Sequence, residues 1–294
     1  MKPVFFAFPD ACFKAMSARD VSAAKGKFIL RSFPDGESYL RVQTEVRGKT
    51  VVIGADLRGP DGKFLPFYFL ASLLRNLGAK KIVGVIPYLP YLRQDKRFQK
   101  GEAVTSRDFA RLLSQALDGL VTVDPHLHRY KSLQEVYSIP CRVVSAAPIL
   151  SRWILAKVPR PFLIGPDSES EQWVKEVAAK AKAPYVVLEK IRKGDRKVEV
   201  SLPSVKKWRN RTPVIVDDII STARTMIETV HQIRKAGMKA PVCLGVHAVF
   251  AENAYEELLA SGPAKVVTCN TVGHLSNGMD VSRLLGASVT GLGL

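Results

Sequence analysis

The chain has 294 residues, 47% of them hydrophobic, so it can build more than one ordinary core and lacks the composition of a disordered polypeptide. With 44 Lys and Arg against 27 Asp and Glu it carries a formal charge of +17, which predicts a positive field and anionic ligands. Nucleic acid would meet that charge, but the basic residues are interleaved with acids and form no basic tail, zinc-finger spacing or RNP-like aromatic motif; nucleotides and sugar phosphates are therefore the expected partners, and nucleic acid is not.

The opening MKPVFFAFPD is broken by Pro9 and Asp10 too early for a signal segment. Strand-like apolar runs then alternate with helical patterns. VVIGA at 51–55, KIVGVIPY at 81–88 and LVTVD at 120–124 are strand candidates in the first half. FLIGPD at 162–167, YVVLEK at 185–190, VIVDD at 214–218, VCLGVHAVF at 242–250 and KVVTCN at 265–270 follow in the second. Residues 106–117, 171–182 and 225–235 read as helices. The longest greasy run, Phe64 to Leu74, ends at Arg75 and is about half the length that spans a bilayer, so no membrane partner is expected. Cys12, Cys141, Cys243 and Cys269 show no metal or disulfide spacing and read as reduced core thiols of a soluble, cytoplasmic protein. The alternation predicts an α/β fold of two doubly wound, mainly parallel-sheet domains, 1–147 and 148–294, with Pro159 to Pro161 interrupting the chain near its middle. Ligands of such sheets gather at the C-terminal ends of the strands.

Five segments carry chemistry. SFPDGESYLRV, from Ser32 to Val42, reads first as a turn; Phe33, with Asp35 and Glu37 beyond it, could also stack an adenine and accept from its amino group. In VIPYLPYLRQDKRF a cluster from Arg93 and Gln94 to Arg97 follows a strand end, where a surface patch and a triphosphate contact are both open readings. In VTVDPHLH, His126 lies just past a strand; a lone histidine fits a structural role as well as a metal site. VVLEKIRKGDRKVEV carries Lys190 and Arg192 into a charged, glycine-containing stretch, either a surface hairpin or a loop that closes over a reaction. Finally VIVDDIISTARTM, from Val214 to Met226, puts Asp217 and Asp218 at a strand end and Ser221, Thr222 and Thr225 at a helix start, whose free N–H groups and dipole suit a phosphate.

The last segment resembles the phosphoribosyl pyrophosphate (PRPP) loop of the type I phosphoribosyltransferase superfamily. The five together, in this order, resemble the ribose-phosphate diphosphokinase (PRPP synthetase) family over essentially the whole chain. That resemblance implies transfer of a diphosphoryl group from Mg-ATP to ribose 5-phosphate, with Mg²⁺ as cofactor and ATP and ribose 5-phosphate as partners. It implies an adenine pocket from Phe33, Asp35 and Glu37, shared between the subunits of a homo-oligomer, and ATP contacts from Arg93 and Gln94. His126 and Asp167 match its metal–ATP positions, and Lys190 and Arg192 its catalytic pair. Asp217 and Asp218 would hold the ribose hydroxyls, with Ser221, Thr222, Ala223, Arg224 and Thr225 cradling the 5-phosphate. A PRPP-consuming transferase and a non-catalytic regulatory homologue are the alternatives. The chain departs from the family pattern at PDSESE (166–171), at Pro125, at Leu57 to Lys63, and at Ala223, where a glycine is usual; alanine predicts a slightly different loop, with backbone angles natural to a residue bearing Cβ.

Overall fold

The computed structural model describes residues 2–8, 15–167, 170–193, 197–201 and 205–291; the side chains of Gln172 and of 189–206 lie outside that description. The chain divides into two compact units. One comprises Met1–Val144, Thr271–Gly273 and Val281–Leu294, the other Ser145–Asn270 and His274–Asp280.

The sheet of the first unit runs β2 (Ala24–Lys25), β1 (Val4–Ala7), β5 (Thr50–Gly54), β6 (Lys81–Val85), β7 (Gly119–Val123) and β8 (Cys141–Val144), all in parallel. Strands β5, β6 and β7 are nearly continuous buried apolar runs, as a parallel sheet covered on both faces requires. Helices α1 (Asp61–Asn76) and α2 (Thr105–Ala116) pack against one another. Phe6, Ile53, Phe67, Leu70 and Leu113 are buried together in this core. Between β2 and β5 the chain forms an antiparallel hairpin, β3 (Phe28–Ser32) and β4 (Ser38–Val42), outside the main sheet.

The second unit repeats the plan. Its parallel sheet runs β10 (Tyr185–Val187), β9 (Pro161–Gly165), β13 (Thr212–Ile220), β14 (Val242–Ala248), β15 (Lys265–Cys269) and β16 (Asn277–Met279). Between β10 and β13 lies another hairpin, β11 (Glu189–Lys193) with β12 (Lys197–Ser201). Helices α3 (Ala147–Lys157) and α4 (Glu171–Lys180) pack together, as do α5 (Arg224–Lys235) and α6 (Ala254–Ala260). Phe162, Ile164, Ile215, Met226 and Leu258 share the core.

In each sheet the second strand lies outside the first and the third strand returns to the first strand's other side, which creates a switch point between first and third, β1 and β5 or β9 and β13. The final helix, α7 (Ser282–Thr290), belongs to the first unit and packs on β7 and β8 through buried Leu285, Gly286 and Val289. A Cβ on Gly286 would collide with the Asp20 carbonyl oxygen, so the helix approaches that turn as closely as only glycine permits.

The fold is thus mostly parallel sheet with flanking helices, as expected, with differences in detail. Residues 185–190 are divided between β10 and β11, because the chain leaves the sheet after Val187 to start the hairpin. Residues 281–291, read as part of the second domain, group with the first unit, and Pro159 to Pro161 lies inside the second, after α3 and running into the first residue of β9. Among the described residues no helix is long and apolar enough to cross a membrane. Among the described residues Cys141, Cys243 and Cys269 form no disulfide; Cys243 and Cys269 are buried, whereas Cys141 is only half-buried, and its thiol is pushed up to about 12 by burial. Cys12 lies outside the described residues.

Candidate active site

Strand β13 is longer than its apolar run suggested: it continues past the acid pair to Ile220, so Asp217 and Asp218 lie within the strand and not at its end. The pairing with β14 holds Asp217 opposite Gly245 and Ile219 opposite His247, which gives the ladder a reason to extend that far. The Asp217 carboxylate accepts from the Asp218 N–H at 3.0 Å, and the Asp218 carboxylate from the Ile219 N–H at 2.8 Å. Burial, then the charges of Asp218 and Asp167, raise the Asp217 carboxyl well above the ordinary range. The charges of Asp218 and Asp167 therefore act on Asp217 beside the switch point of the second sheet, between β9 and β13, where a cation or sugar hydroxyls would relieve the repulsion.

Ser221, Thr222 and Ala223 lead into α5. Ala223 has φ 54° and ψ 2°, the left-handed region, so the expectation of a loop relaxed around its Cβ is overturned: alanine takes the glycine-type conformation. The methyl is buried in the core cluster beside Ile220, Met226 and Val230, which offsets part of the strain. The N-cap residue, Ala223, supplies no side-chain cap to α5, whose first turn, from Arg224 and Thr225, offers backbone N–H groups to an external acceptor. The Thr229 hydroxyl is instead used internally, donating to the Thr225 carbonyl at 2.7 Å. The next loop braces the turn: the Val249 N–H donates to the Ile220 carbonyl and the Ala251 N–H to that of Ser221.

Asp167 follows β9 and also has a local role, its Oδ1 accepting from the Ser170 N–H at 3.3 Å at the start of α4. Ser168 and Glu169 of the PDSESE segment lie outside the described residues. Lys190 and Arg192 stand on β11, opposite Val200 and Val198 of β12; their side chains lie outside the described part.

In the first unit FPDGE is a turn, the tip of the β3–β4 hairpin, and the turn leaves Phe33, Asp35 and Glu37 exposed. The Phe33 N–H donates to the Glu37 carbonyl and the Gly36 N–H to that of Phe33. Phe33 meets Tyr39 edge to face at 5.9 Å, and the Arg31 guanidinium lies 4.2 Å from the Tyr39 centroid and 5.0 Å from that of Phe33. Sequence reasoning missed this brace on the ring.

Arg93 is exposed, while Gln94 is anchored: its side-chain oxygen accepts from the Thr105 hydroxyl at 3.0 Å, and its carbonyl from the Ser106 N–H at the start of α2. Tyr91, at φ 63°, donates to Asp61 at the start of α1, and that hydrogen bond is the main cause of its raised phenol pKa. Asp95, at the centre of the basic run, is buried and paired with Arg129 at 2.7 Å. His126 follows β7 in this unit, half-buried, its ring 6.3 Å from that of His128. Arg129 too was missed, although a single acid inside a basic run is what a buried counter-ion looks like. Among the described residues no group of three or more His, Cys, Asp or Glu is arranged to hold a metal.

A phosphate-ready helix start behind an acid pair, at the switch point of a parallel sheet, defines a phosphoribosyltransferase-type domain. The family profile described as phosphoribosyl transferase domain matches residues 142–282, and that described as the N-terminal domain of ribose phosphate pyrophosphokinase matches residues 13–116. The chain is 35% identical over 242 residues to a ribose-phosphate pyrophosphokinase of Methanopyrus kandleri and 34% identical over 245 to that of Sulfolobus acidocaldarius, with 82% of each chain covered in both cases. It is 32% identical to ribose-phosphate pyrophosphokinase 2 of Archaeoglobus fulgidus, over 90% of this chain and 91% of that one. The crystal structure of phosphoribosylpyrophosphate synthetase from Mycobacterium smegmatis shares the fold with a TM-score of 0.83 at 23% identity, over 99% of both chains. The chain belongs to the ribose-phosphate pyrophosphokinase family, a family of transferases.

Proposed function

We propose that this chain transfers the β,γ-diphosphoryl group of ATP to the anomeric hydroxyl of ribose 5-phosphate, forming PRPP and AMP. The C1 hydroxyl oxygen bonds to the β-phosphorus, the bond from that phosphorus to the α–β bridging oxygen breaks, AMP leaves with that oxygen, and the hydroxyl proton passes to solvent. The observation that carries the reading is the β13–α5 turn: Asp217 and Asp218, then Ser221 to Thr225 at a helix start with no side-chain cap. Such a turn suits a pentose ester, with carboxylates for its hydroxyls and N–H groups for its phosphate.

No protein nucleophile is needed; positioning and charge stabilisation do the work. Arg93 and Gln94 contact the nucleotide phosphates and ribose, and Lys190 and Arg192 neutralise charge that grows on the migrating group. Phe33, Asp35 and Glu37 receive adenine, offered to a neighbouring copy in a homo-oligomer, which their exposure on the hairpin tip allows. His126 and Asp167 are the residues that would hold Mg²⁺, which takes few protein ligands beside substrate phosphates and would supply charge neutralisation there. The mutual repulsion of Asp167, Asp217 and Asp218 fits a cation nearby. Residues 1–147 carry the ATP contacts and 148–294 the ribose 5-phosphate loop, in a cytoplasmic enzyme.

Product analysis tests the reading. ATP labelled in its β- and γ-phosphates should yield unlabelled AMP and a pentose product carrying both labels, in equal amounts. Release of ADP, or AMP without labelled pentose, would rule the reaction out.

A further inference from the structure

Asp95 directly follows Arg93 and Gln94, proposed to touch ATP, and does not face solvent: its side chain is 1% exposed. Oδ1 accepts from Arg129 Nη1 at 2.7 Å, while Oδ2 is buried and accepts no hydrogen bond from the described residues. Arg129 is thus the buried carboxylate's counter-charge, and a carboxylate so placed holds its partner tightly because losing it leaves a bare charge in a poorly polarisable interior. The main chain makes a second connection between the same two segments. The Tyr130 hydroxyl donates to the Asp95 carbonyl at 3.1 Å and lies 3.0 Å from the Ser106 hydroxyl of α2. Gln94 is bound to the same helix start through Thr105.

We propose that Asp95 and Arg129 form a positioning pair that joins the segment of Arg93 and Gln94 to the segment of His126, three residues before Arg129, so that the nucleotide phosphates and the metal ligand are presented at one fixed separation. Neither side chain touches substrate; the pair acts through its neighbours. The inference rests on the proposed ATP site and names a partner for each of its two loops. It accounts for an acid in the middle of an otherwise basic run, which a simple phosphate patch would not contain.

The test is a set of four proteins, wild type, Asp95→Asn, Arg129→Met and the double variant, with Arg129→Lys as a conservative control that keeps the charge without the fork. In AMP-forming assays each single variant should raise the KM for Mg-ATP about tenfold, with less than about a twofold change in the KM for ribose 5-phosphate. The double variant should be no worse than the poorer single one, because removing both charges removes the uncompensated one. Arg129→Lys should recover part of the loss. Equilibrium titration with Mg-ATP alone should show the same order, which keeps the pair testable even if wild type forms no AMP and the reaction assignment fails. Equal rises in both KM values, or single effects that multiply in the double variant, would overturn the pair. Should Asp95→Asn fail to fold, Arg129→Lys and Arg129→Met against wild type still give the two-substrate split.

Discussion

The two units share a strand order and a hairpin between their second and third sheet strands, yet the turns that follow the third strand are built for different purposes. After β5 the first unit reads Asp56, Leu57, Arg58, Gly59, Pro60, Asp61. Several of its polar groups are engaged by the protein itself: Asp56 Oδ1 accepts from the Arg58 N–H, Lys63 donates to the Asp56 carbonyl, and Asp61 receives Tyr91. Pro60 and the acid at the first position of α1 leave little for an incoming anion. After β13 the second unit has hydroxyls and no acid in the first turn of its helix, while the N-cap residue of neither helix, Pro60 or Ala223, supplies a side-chain cap. Both turns enter their helix through a left-handed residue, Gly59 at φ 63° and Ala223 at φ 54°. The connections differ in length, from Gly54 to Asp61 and from Ile220 to Arg224, and in side chains, so that one half has a self-bonded turn and the other a phosphate-ready one.

The hairpins divide labour in the same way, and substitutions can break the parallel. Lys190→Ala should lower kcat by about 100- to 1,000-fold with a modest change in ribose 5-phosphate affinity; an unaltered turnover number in steady-state assays would remove the second hairpin from the chemistry. Asp217→Asn should cost roughly 10- to 100-fold in kcat/KM for ribose 5-phosphate. It should also stabilise the ligand-free protein at neutral pH. The folded chain keeps a proton that the unfolded chain has released, so the stability this acid contributes is present at low pH and lost as pH rises from about 4. Thermal melts from acid to neutral pH should show the variant's advantage growing with pH; a shrinking advantage would mean the carboxyl is not raised. Phe33→Ala should act on binding alone, raising the KM for ATP about tenfold with kcat little changed. At 40% exposure its loss should alter stability by no more than about 0.5 kcal/mol in denaturant titrations.

The smallest effects compare the two left-handed residues. Around Gly59 a Cβ would find nothing within 4 Å, so Gly59→Ala adds strain without packing and should cost about 1 kcal/mol. At Ala223 relief of strain by Ala223→Gly is matched by loss of a buried methyl, about 0.8 kcal/mol, so urea midpoints should barely move. A gain as large as the Gly59→Ala loss would show that the methyl contributes nothing.

The central strands were legible because VVIGA, LVTVD and VIVDD are β-branched runs bounded by turns, and burial on both faces leaves such runs little alternative. The edges were not. β2 has two residues, β16 three, and β8 is exposed at Arg142 and Val143, so their pairing depends on neighbours already in place and not on a local pattern. Helix α1 was read only as a greasy stretch: Leu65 and Phe69 on its outer side are as apolar as buried Phe67 and Leu70, which erases the helical period, and Pro66 sits inside it. At the site, residue types announced themselves where several polar groups crowd the last part of a strand and the turn after it, as at 217–225. The strain at Ala223 and the pairing of Asp95 with Arg129 stayed hidden, since one is a backbone angle and the other joins positions 34 residues apart.

The return of α7 to the first unit has a consequence for synthesis. Residues 282–290 complete the flank of β7 and β8, yet they leave the ribosome only after the whole second unit. The amino-terminal half therefore stays unsealed while its sibling emerges, and a nascent chain halted at residue 280 should be cut by protease within the first unit until the missing helix is supplied.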